Sequence, residues 1–196
     1  MTDNDDIIKN LDEQINCISK IKSEQLDIIE KILEVLETAR KTNQKIILFG
    51  NGGSASTSSH FASDLQKTSI VDNANRFRAI CLTDNIPVLT AWANDTSYED
   101  IFSSQLENFL DSDDVVLAIS GSGNSPNVVK AVELANKMGA KTISLTGKDG
   151  GMLSKISKIN LNIPNSDMLT IETMHLLICH LLTTLLRKKG NPAFSY

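Results

Sequence analysis

Residues 45–65 read KIILFGNGGSASTSSHFASDL, in which a short apolar run, a glycine-rich loop and a polar helical segment follow one another directly. The run Ile46–Phe49 is apolar without alternation, which is typical of a strand buried on both faces of a parallel sheet. Similar runs follow along the chain, at residues 79–82, 115–119, 142–145 and 159–163. These runs predict the strands of one sheet.

The segments that separate these strands are predicted to be helices. They cover residues 54–68, 86–110 with a break near Asn94, 126–138, and a long final helix at about 167–189. Alternation of strand and helix predicts a single α/β domain with a parallel sheet, covering residues 45–190. The tail after Gly190 is expected to be loose.

The first forty residues predict a helical N-terminal arm, which we bound at residues 1–44. Apolar residues recur there at three- and four-residue steps, in one set that begins at Ile7 and a second that begins at Leu26. A polar patch at residues 22–24 favours two helices. Such an arm packs on its own core or on another subunit, so association of subunits is expected.

The composition narrows the class of protein. The chain has 196 residues, of which 41% are hydrophobic and 22% charged, as in one globular domain. A net charge of −5 without a long basic block excludes a broad electrostatic grip on nucleic acid. The longest apolar run, 176–186, is shorter than the roughly 20 residues of a membrane span. The acidic N-terminus and three widely spaced cysteines predict a cytoplasmic protein with reduced thiols.

Two glycine–serine loops follow predicted strands and open predicted helices. They are Gly50-Asn51-Gly52-Gly53-Ser54 and Ser120-Gly121-Ser122-Gly123-Asn124-Ser125, with Ser125 placed to cap a helix before Pro126. Glycines admit a ligand close to the backbone, and helix N-termini attract anions. Neither loop has the GK[ST] or GxGxxG pattern of nucleotide sites. The pair favours a small phosphate monoester, although either loop alone is equally well explained as a tight turn.

Histidines and carboxylates form a candidate metal set on two predicted helices. His60 and Asp64 are four residues apart and share a helix face. Glu172 and His180 are eight residues apart, roughly 80° around the final helix. Imidazole and carboxylate ligands suit zinc, but a single His–Asp pair often arises by chance. His175 points away from His180 and is expected to be a packed or hydrogen-bonded histidine.

Asn94 and Asp95 interrupt a helical region after Trp92. Their polar side chains are placed to reach a hydroxylated ligand. An ordinary helix break explains them equally well, because both residue types favour caps and turns.

Five ordered blocks, which span the chain from about Lys45 to the final helix, resemble the phosphoheptose isomerase family with its SIS (sugar isomerase) fold. The blocks are GNGGSASTSSHFASDL, AWANDTSYED, AISGSGNSPNVVKAVELA, LTGKDGG and IETMHLLICH. The resemblance implies a three-layer fold with a central parallel sheet flanked by helices. It also implies conversion of sedoheptulose 7-phosphate to D-glycero-D-manno-heptose 7-phosphate through an enediol, by a homotetramer with one Zn2+ per subunit.

The resemblance also implies roles for individual residues. Asp64 and His180 match the proton-transfer pair, and the implied metal ligands are His60, Asp64, Glu172 and His180. The phosphate loop corresponds to Ser120, Gly121, Ser122 and Ser125. The other implied substrate contacts are Asn51, Gly52, Gly53, Ser54, Asp64, Asn94, Asp95 and Glu172.

The sequence departs from the family pattern at three of these positions. Asp64 stands where glutamate is typical, Glu172 where glutamine is typical, and Gly121 where threonine is typical. The departures leave open an isomerase for a different sugar phosphate. A non-catalytic SIS protein that binds a sugar phosphate or a replication initiator is a further alternative. SIS proteins that regulate an initiator lack the carboxylate and the final histidine, so Asp64 and His180 favour an enzyme.

Overall fold

The computed structural model describes residues 2–195 and has an α/β architecture built on one five-stranded parallel sheet. All five predicted runs are strands, and the strand order is β2-β1-β3-β4-β5. Their bounds are β1 Lys45–Gly50, β2 Arg78–Cys81, β3 Val115–Ser120, β4 Lys141–Gly147 and β5 Ile159–Ile163.

Helices connect and flank the strands. Their bounds are α1 Asp3–Glu24, α2 Leu26–Lys41, α3 Gly53–Ser63, α4 Ile86–Asp95, α5 Ser103–Phe109, α6 Pro126–Lys137, α7 Leu153–Ile156 and α8 Met168–Arg187. A π-helical turn at Asp64–Thr68 continues α3, so the helix predicted at 54–68 is present in two forms. The predicted break near Asn94 is confirmed, since α4 ends at Asp95. The α7 helix, with only four residues, was not predicted.

Helices cover both faces of the sheet, which gives the expected three layers. On one face, α2, α3 and α8 bury residues such as Leu36, Phe61 and Ile178 against the strands. On the other face, α5 and α6 bury Leu106 and Val128. Because both faces are covered, β1 and β3 are buried at every position, and their sequences are therefore apolar without alternation.

The strand order places the two glycine–serine loops side by side. The chain leaves β1 towards β2 and leaves β3 towards β4, so the neighbouring strands β1 and β3 form the topological switch point. Their register runs from Ile46 opposite Val115 to Gly50 opposite Ile119. The two strands therefore end at the same level, where open α/β sheets bind ligands.

The two ends of the chain differ in how they attach to this core. In the N-terminal region, α2 lies in the core, whereas α1 packs mainly on α2 and leaves apolar side chains exposed. The division at residue 44 stays a prediction. The expectation of a loose C-terminal tail was wrong, because Ala193 N donates to the Ile70 carbonyl at 3.0 Å and Asp72 N donates to the Asn191 carbonyl at 2.8 Å.

The α8 helix is long and apolar enough to pass a length-and-composition test for a membrane span. Half of it is buried inside the fold, and core helices pass the same test, so this is weak evidence for a span. Cys17, Cys81 and Cys179 are all free and buried, as predicted.

Candidate active site

A cavity of about 230 Å³ lies at the switch point between the two loops. Ser120, Ser122 and Ser125 line it from the second loop and Ser54 from the first. As predicted, Ser125 is the N-cap residue of α6. Its hydroxyl makes no capping bond and lies 3.2 Å from that of Ser120, so both hydroxyls remain at the cavity wall. Hydroxyls at the start of a helix suit a phosphate group.

Glu172 lines the same cavity from α8. Its carboxylate lies directly against Gly53 at the start of α3, since a Cβ built on Gly53 would be 2.3 Å from Glu172 Oε2. A carboxylate is stabilised at a helix N-terminus by the helix dipole. Glu172 therefore occupies the positive end of α3 and leaves the start of α6 for a second anion.

Gly121, which stands where threonine is typical of the family, lies against the side chain of Met168. A Cβ at position 121 would be 2.4 Å from Met168 Sδ, and Met168 also lines the cavity. The thioether thus occupies the space that a threonine side chain would need. Gly121 and Met168 thus lie against each other in the wall of the cavity.

His60, Asp64 and His180 form a compact cluster at the contact between α3 and α8. One ligand atom from each lies within 4.8 Å of the others. The two Nε2 atoms are 3.0 Å apart, and Asp64 Oδ2 is 3.9 Å from that of His60 and 3.8 Å from that of His180. Both histidines are exposed, whereas Asp64 retains 9% exposure.

This donor set fits a divalent metal. Two nitrogens bound to one tetrahedral zinc at about 2.0–2.1 Å lie about 3.3 Å apart, close to the observed separation of the Nε2 atoms. Zinc sites that perform catalysis use three protein ligands and keep a fourth position open. Glu172 lies outside the cluster, because it is two turns, or about 12 Å, before His180 along α8.

The Asp64 carboxylate is held by features that the sequence analysis did not single out. Asp64 opens the π-helical turn, an irregularity that is frequent at functional sites. The Thr183 hydroxyl, also buried, lies 3.4 Å from Asp64 Oδ2 and 2.9 Å from the Cys179 carbonyl, so its single proton is shared between these two acceptors. The only signal for Thr183 in the sequence is its position one turn after His180.

Asn94 and Asp95 are exposed at the end of α4. Asn94 Nδ2 donates to Asp95 Oδ1 at 2.7 Å, so the two side chains are bonded to each other. Their neighbours Ala93 and Tyr98 line a second cavity of about 210 Å³ beside the first. A ligand contact by Asn94 and Asp95 stays a prediction.

His175 is a buried, hydrogen-bonded histidine, as predicted, although its contact is with a strand and not another helix. It is 1% exposed, and its Nε2 lies 3.1 Å from the Thr146 carbonyl of β4. The bond ties α8 to the end of β4. Burial lowers the pKa of His175 to about 4.

We expect this histidine to make the protein less stable in mild acid. An unfolded chain protonates histidine near pH 6.5, whereas folded His175 stays neutral down to about pH 4. The stabilisation is therefore complete above pH 6.5 and is lost as the pH falls towards 4, by about 3 kcal/mol in total. Urea unfolding at a series of pH values measures this loss.

His175→Gln is the matched variant, because glutamine keeps an N–H donor but does not titrate. Its free energy of unfolding is expected to fall less steeply than that of the wild type between pH 6.5 and 4. If the free energy of unfolding depends on pH equally in the two proteins, the titration of His175 is not the cause of the loss of stability.

Comparison with known proteins identifies the family of this chain. The family model described as SIS domain matches residues 11–147. A phosphoheptose isomerase of Aliarcobacter butzleri is 37% identical over 174 residues, which cover 89% of this chain and 92% of the relative. This chain belongs to the phosphoheptose isomerase family. A phosphoheptose isomerase of Helicobacter pylori strain P12 is 39% identical over 156 residues, covering 80% of this chain and 81% of the relative.

A solved phosphoheptose isomerase from Neisseria gonorrhoeae has the same fold. It superposes with a TM-score of 0.89 at 28% identity, covering 95% of this chain and all of the other. Membership of the phosphoheptose isomerase family makes the chain a sugar-phosphate isomerase. A small-molecule sugar phosphate is therefore its partner.

Proposed function

We propose that this isomerase converts sedoheptulose 7-phosphate to D-glycero-D-manno-heptose 7-phosphate. Aldose–ketose isomerisation removes a proton from the carbon beside a carbonyl and returns it to the neighbouring carbon through an enediol. The reaction needs a base, an acid and a group that stabilises the developing oxyanion.

The convergence of Asp64 with two histidines on α3 and α8, the two helices that also contribute to the serine-lined cavity, carries the proposal. His60 lies seven residues after Gly53, which is about 10 Å along α3. An extended seven-carbon sugar with its phosphate has a comparable length. The phosphate and the reacting carbons thus have separate groups to bind them.

At the phosphate end, we assign binding to Ser120, Gly121, Ser122 and Ser125 at the start of α6. The hydroxyls donate to phosphate oxygens, and the helix N-terminus favours the charge. Asn51, Gly52, Gly53 and Ser54 face the sugar chain from the first loop. Binding energy gained at the phosphate holds the reacting end in place.

At the reacting end, we assign the proton transfer between C1 and C2 to Asp64. His180 exchanges protons with the sugar oxygens. We place Zn2+ on His60, Asp64 and His180, where it supplies polarisation of the carbonyl and hydroxyl oxygens. Glu172 belongs to the substrate end of the site, since its carboxylate lies at Gly53.

We further propose that the enzyme is a cytoplasmic homotetramer. The support is a stripe of exposed apolar side chains along α1, at Ile7, Ile8, Leu11, Ile15 and Ile18. Exposed apolar stripes of this kind mark contacts between proteins. Burial of the stripe between copies removes it from water.

The test is a screen of ketose phosphates of five, six and seven carbons with the purified protein. We expect turnover of sedoheptulose 7-phosphate to exceed that of the shorter substrates. Turnover of only the shorter sugars would contradict the proposed substrate. Absence of turnover by the metal-loaded protein would contradict the proposed reaction.

Metal content is measured on the same protein. We expect about one zinc per subunit, a loss of turnover after chelation and its recovery when zinc is returned. His60→Gln is expected to retain much less metal than the wild type. Equal zinc in the two proteins would exclude His60 as a ligand.

A further inference from the structure

Asn51 lies at the wall shared by two neighbouring cavities. It lines the serine-lined cavity and also the second cavity, to which Tyr98 belongs. Its side-chain amide offers one acceptor oxygen and two N–H donors. If an N–H faces a bound sugar, Asn51 recognises an acceptor oxygen of that sugar, and if the side-chain oxygen faces it, Asn51 recognises a hydroxyl donor. The neighbours of Asn51 fix the orientation of its amide.

A backbone N–H group fixes the orientation of the Asn127 amide, which in turn contacts Asn51. Val128 N donates to Asn127 Oδ1 and to the Ser125 carbonyl, each at 3.0 Å, and a backbone N–H can only donate. The side-chain oxygen of Asn127 is thereby identified, and its Nδ2 is on the other side. Asn127 is 2% exposed, so its amide has no solvent to turn towards.

The two amides then form a reciprocal pair. Asn51 Nδ2 donates to Asn127 Oδ1 and Asn127 Nδ2 donates to Asn51 Oδ1, each at 2.9 Å. The Tyr98 hydroxyl donates to the same oxygen of Asn51 at 3.1 Å. Both acceptor sites of that oxygen are thus occupied. Within residues 2–195, the second Nδ2–H of Asn51 has no protein acceptor.

We propose that Asn127 and Tyr98 are positioning residues that hold Asn51 as a hydrogen-bond donor towards an oxygen of the sugar chain. The proposal rests on the proposed function and adds a specificity rule to it. Asn51 accepts a substrate with an acceptor oxygen at that point and rejects one without it. Neither positioning residue touches the reacting carbons, so the effect is on binding.

Asn127→Asp tests this directly. A carboxylate has no N–H, so Asn51 Oδ1 loses the donor at position 127, and in either orientation of the Asn51 amide its oxygen lies against a carboxylate oxygen. Position 127 therefore no longer holds Asn51 as a donor towards the sugar. We expect the KM for the sugar phosphate to rise about tenfold or more, with a smaller change in kcat. Tyr98→Phe removes one donor from an exposed side chain and is expected to raise KM about threefold.

Asn136→Asp is the matched control. Asn136 lies on the same helix, and its Nδ2 donates to the Ile156 carbonyl away from the site. It therefore loses the same kind of bond without affecting Asn51. Its KM is expected to equal that of the wild type. The Kd of inorganic phosphate, which has no sugar chain, is expected to change less than twofold in Tyr98→Phe and Asn136→Asp. In Asn127→Asp the new carboxylate lies in the first turn of α6 and also repels phosphate, so the phosphate Kd of this variant measures that part of its KM change.

The outcomes separate this inference from the proposed function. If the wild type does not turn over sedoheptulose 7-phosphate, the proposed substrate fails, and KM is measured on the sugar phosphate that is turned over. Unchanged KM in Asn127→Asp and Tyr98→Phe overturns the positioning roles. So does an equal rise in Asn136→Asp. If Asn127→Asp does not fold, Tyr98→Phe alone decides the question.

Discussion

Asp64→Asn is expected to lower kcat about a thousandfold while the protein stays folded. Asparagine keeps the shape of the side chain and can still accept a bond from Thr183, which lies 3.4 Å from Oδ2. It loses the negative charge and the basic oxygen that proton transfer requires. General acid–base catalysis contributes about 10²–10⁴-fold, which sets the magnitude. The measurement is the rate of isomerisation at saturating sugar phosphate.

The matched control is Asp72→Asn, which makes the same chemical change on an exposed residue between α3 and β2. It is expected to keep wild-type kcat. His180→Gln, on the other side of the cluster, is expected to resemble Asp64→Asn. Zinc content in each variant separates the loss of a ligand from the loss of a proton-transfer group. Wild-type turnover in Asp64→Asn or His180→Gln would remove the catalytic scheme.

Gly123→Ala is expected to disrupt the phosphate loop. Gly123 has a φ of +65°, and a Cβ there would be 2.0 Å from the Gly150 carbonyl oxygen. Because that oxygen belongs to the backbone, the phosphate loop and the loop between β4 and α7, which contains Gly150, must separate to admit the methyl group. The free energy of unfolding is expected to fall by more than the roughly 1–2 kcal/mol that a positive φ costs alanine. Phosphate binding is expected to weaken at least tenfold.

Gly139→Ala is the control for backbone conformation alone. Gly139 also has a positive φ, of +89°, but the nearest atom to a Cβ there is Ser112 Cβ at 3.7 Å. This variant is expected to lose only the conformational part of the stability and to bind phosphate normally. Equal losses of stability and of phosphate binding in the two variants would show that the contact with Gly150 is unimportant. Urea unfolding and phosphate titration measure both quantities.

Local patterns predicted the elements of this fold well. Runs such as Val115–Ile119 are strands because a short continuous apolar run fits a strand covered on both faces. The loop that begins at Ser120 does precede a helix, since Ser125 and Pro126 are suited to a helix start. The pair His60 and Asp64 is also together, because four residues bring side chains onto one helix face.

Contacts between segments that are distant in the chain were harder to predict from the sequence. His60 and His180 are 120 residues apart, and only the packing of α3 on α8 brings their Nε2 atoms to 3.0 Å. Angular spacing along α8 suggested that Glu172 and His180 converge. The Glu172 carboxylate lies at Gly53 and outside the cluster of His60, Asp64 and His180, so its role as a metal ligand stays a prediction. The tail after Gly190 had no periodicity to signal that it pairs with residues 70–72.

The sequence by itself determined the class of fold, the two glycine–serine loops and the residue types of a candidate metal site. Each of these depends on local periodicity or on the chemistry of a few adjacent side chains. Only the tertiary structure decided the strand order and the burial of Asp64. It also decided the hydrogen bonds that connect Val128 through Asn127 to Asn51. These features depend on which surfaces pack together, and residues far apart in the chain settle that jointly.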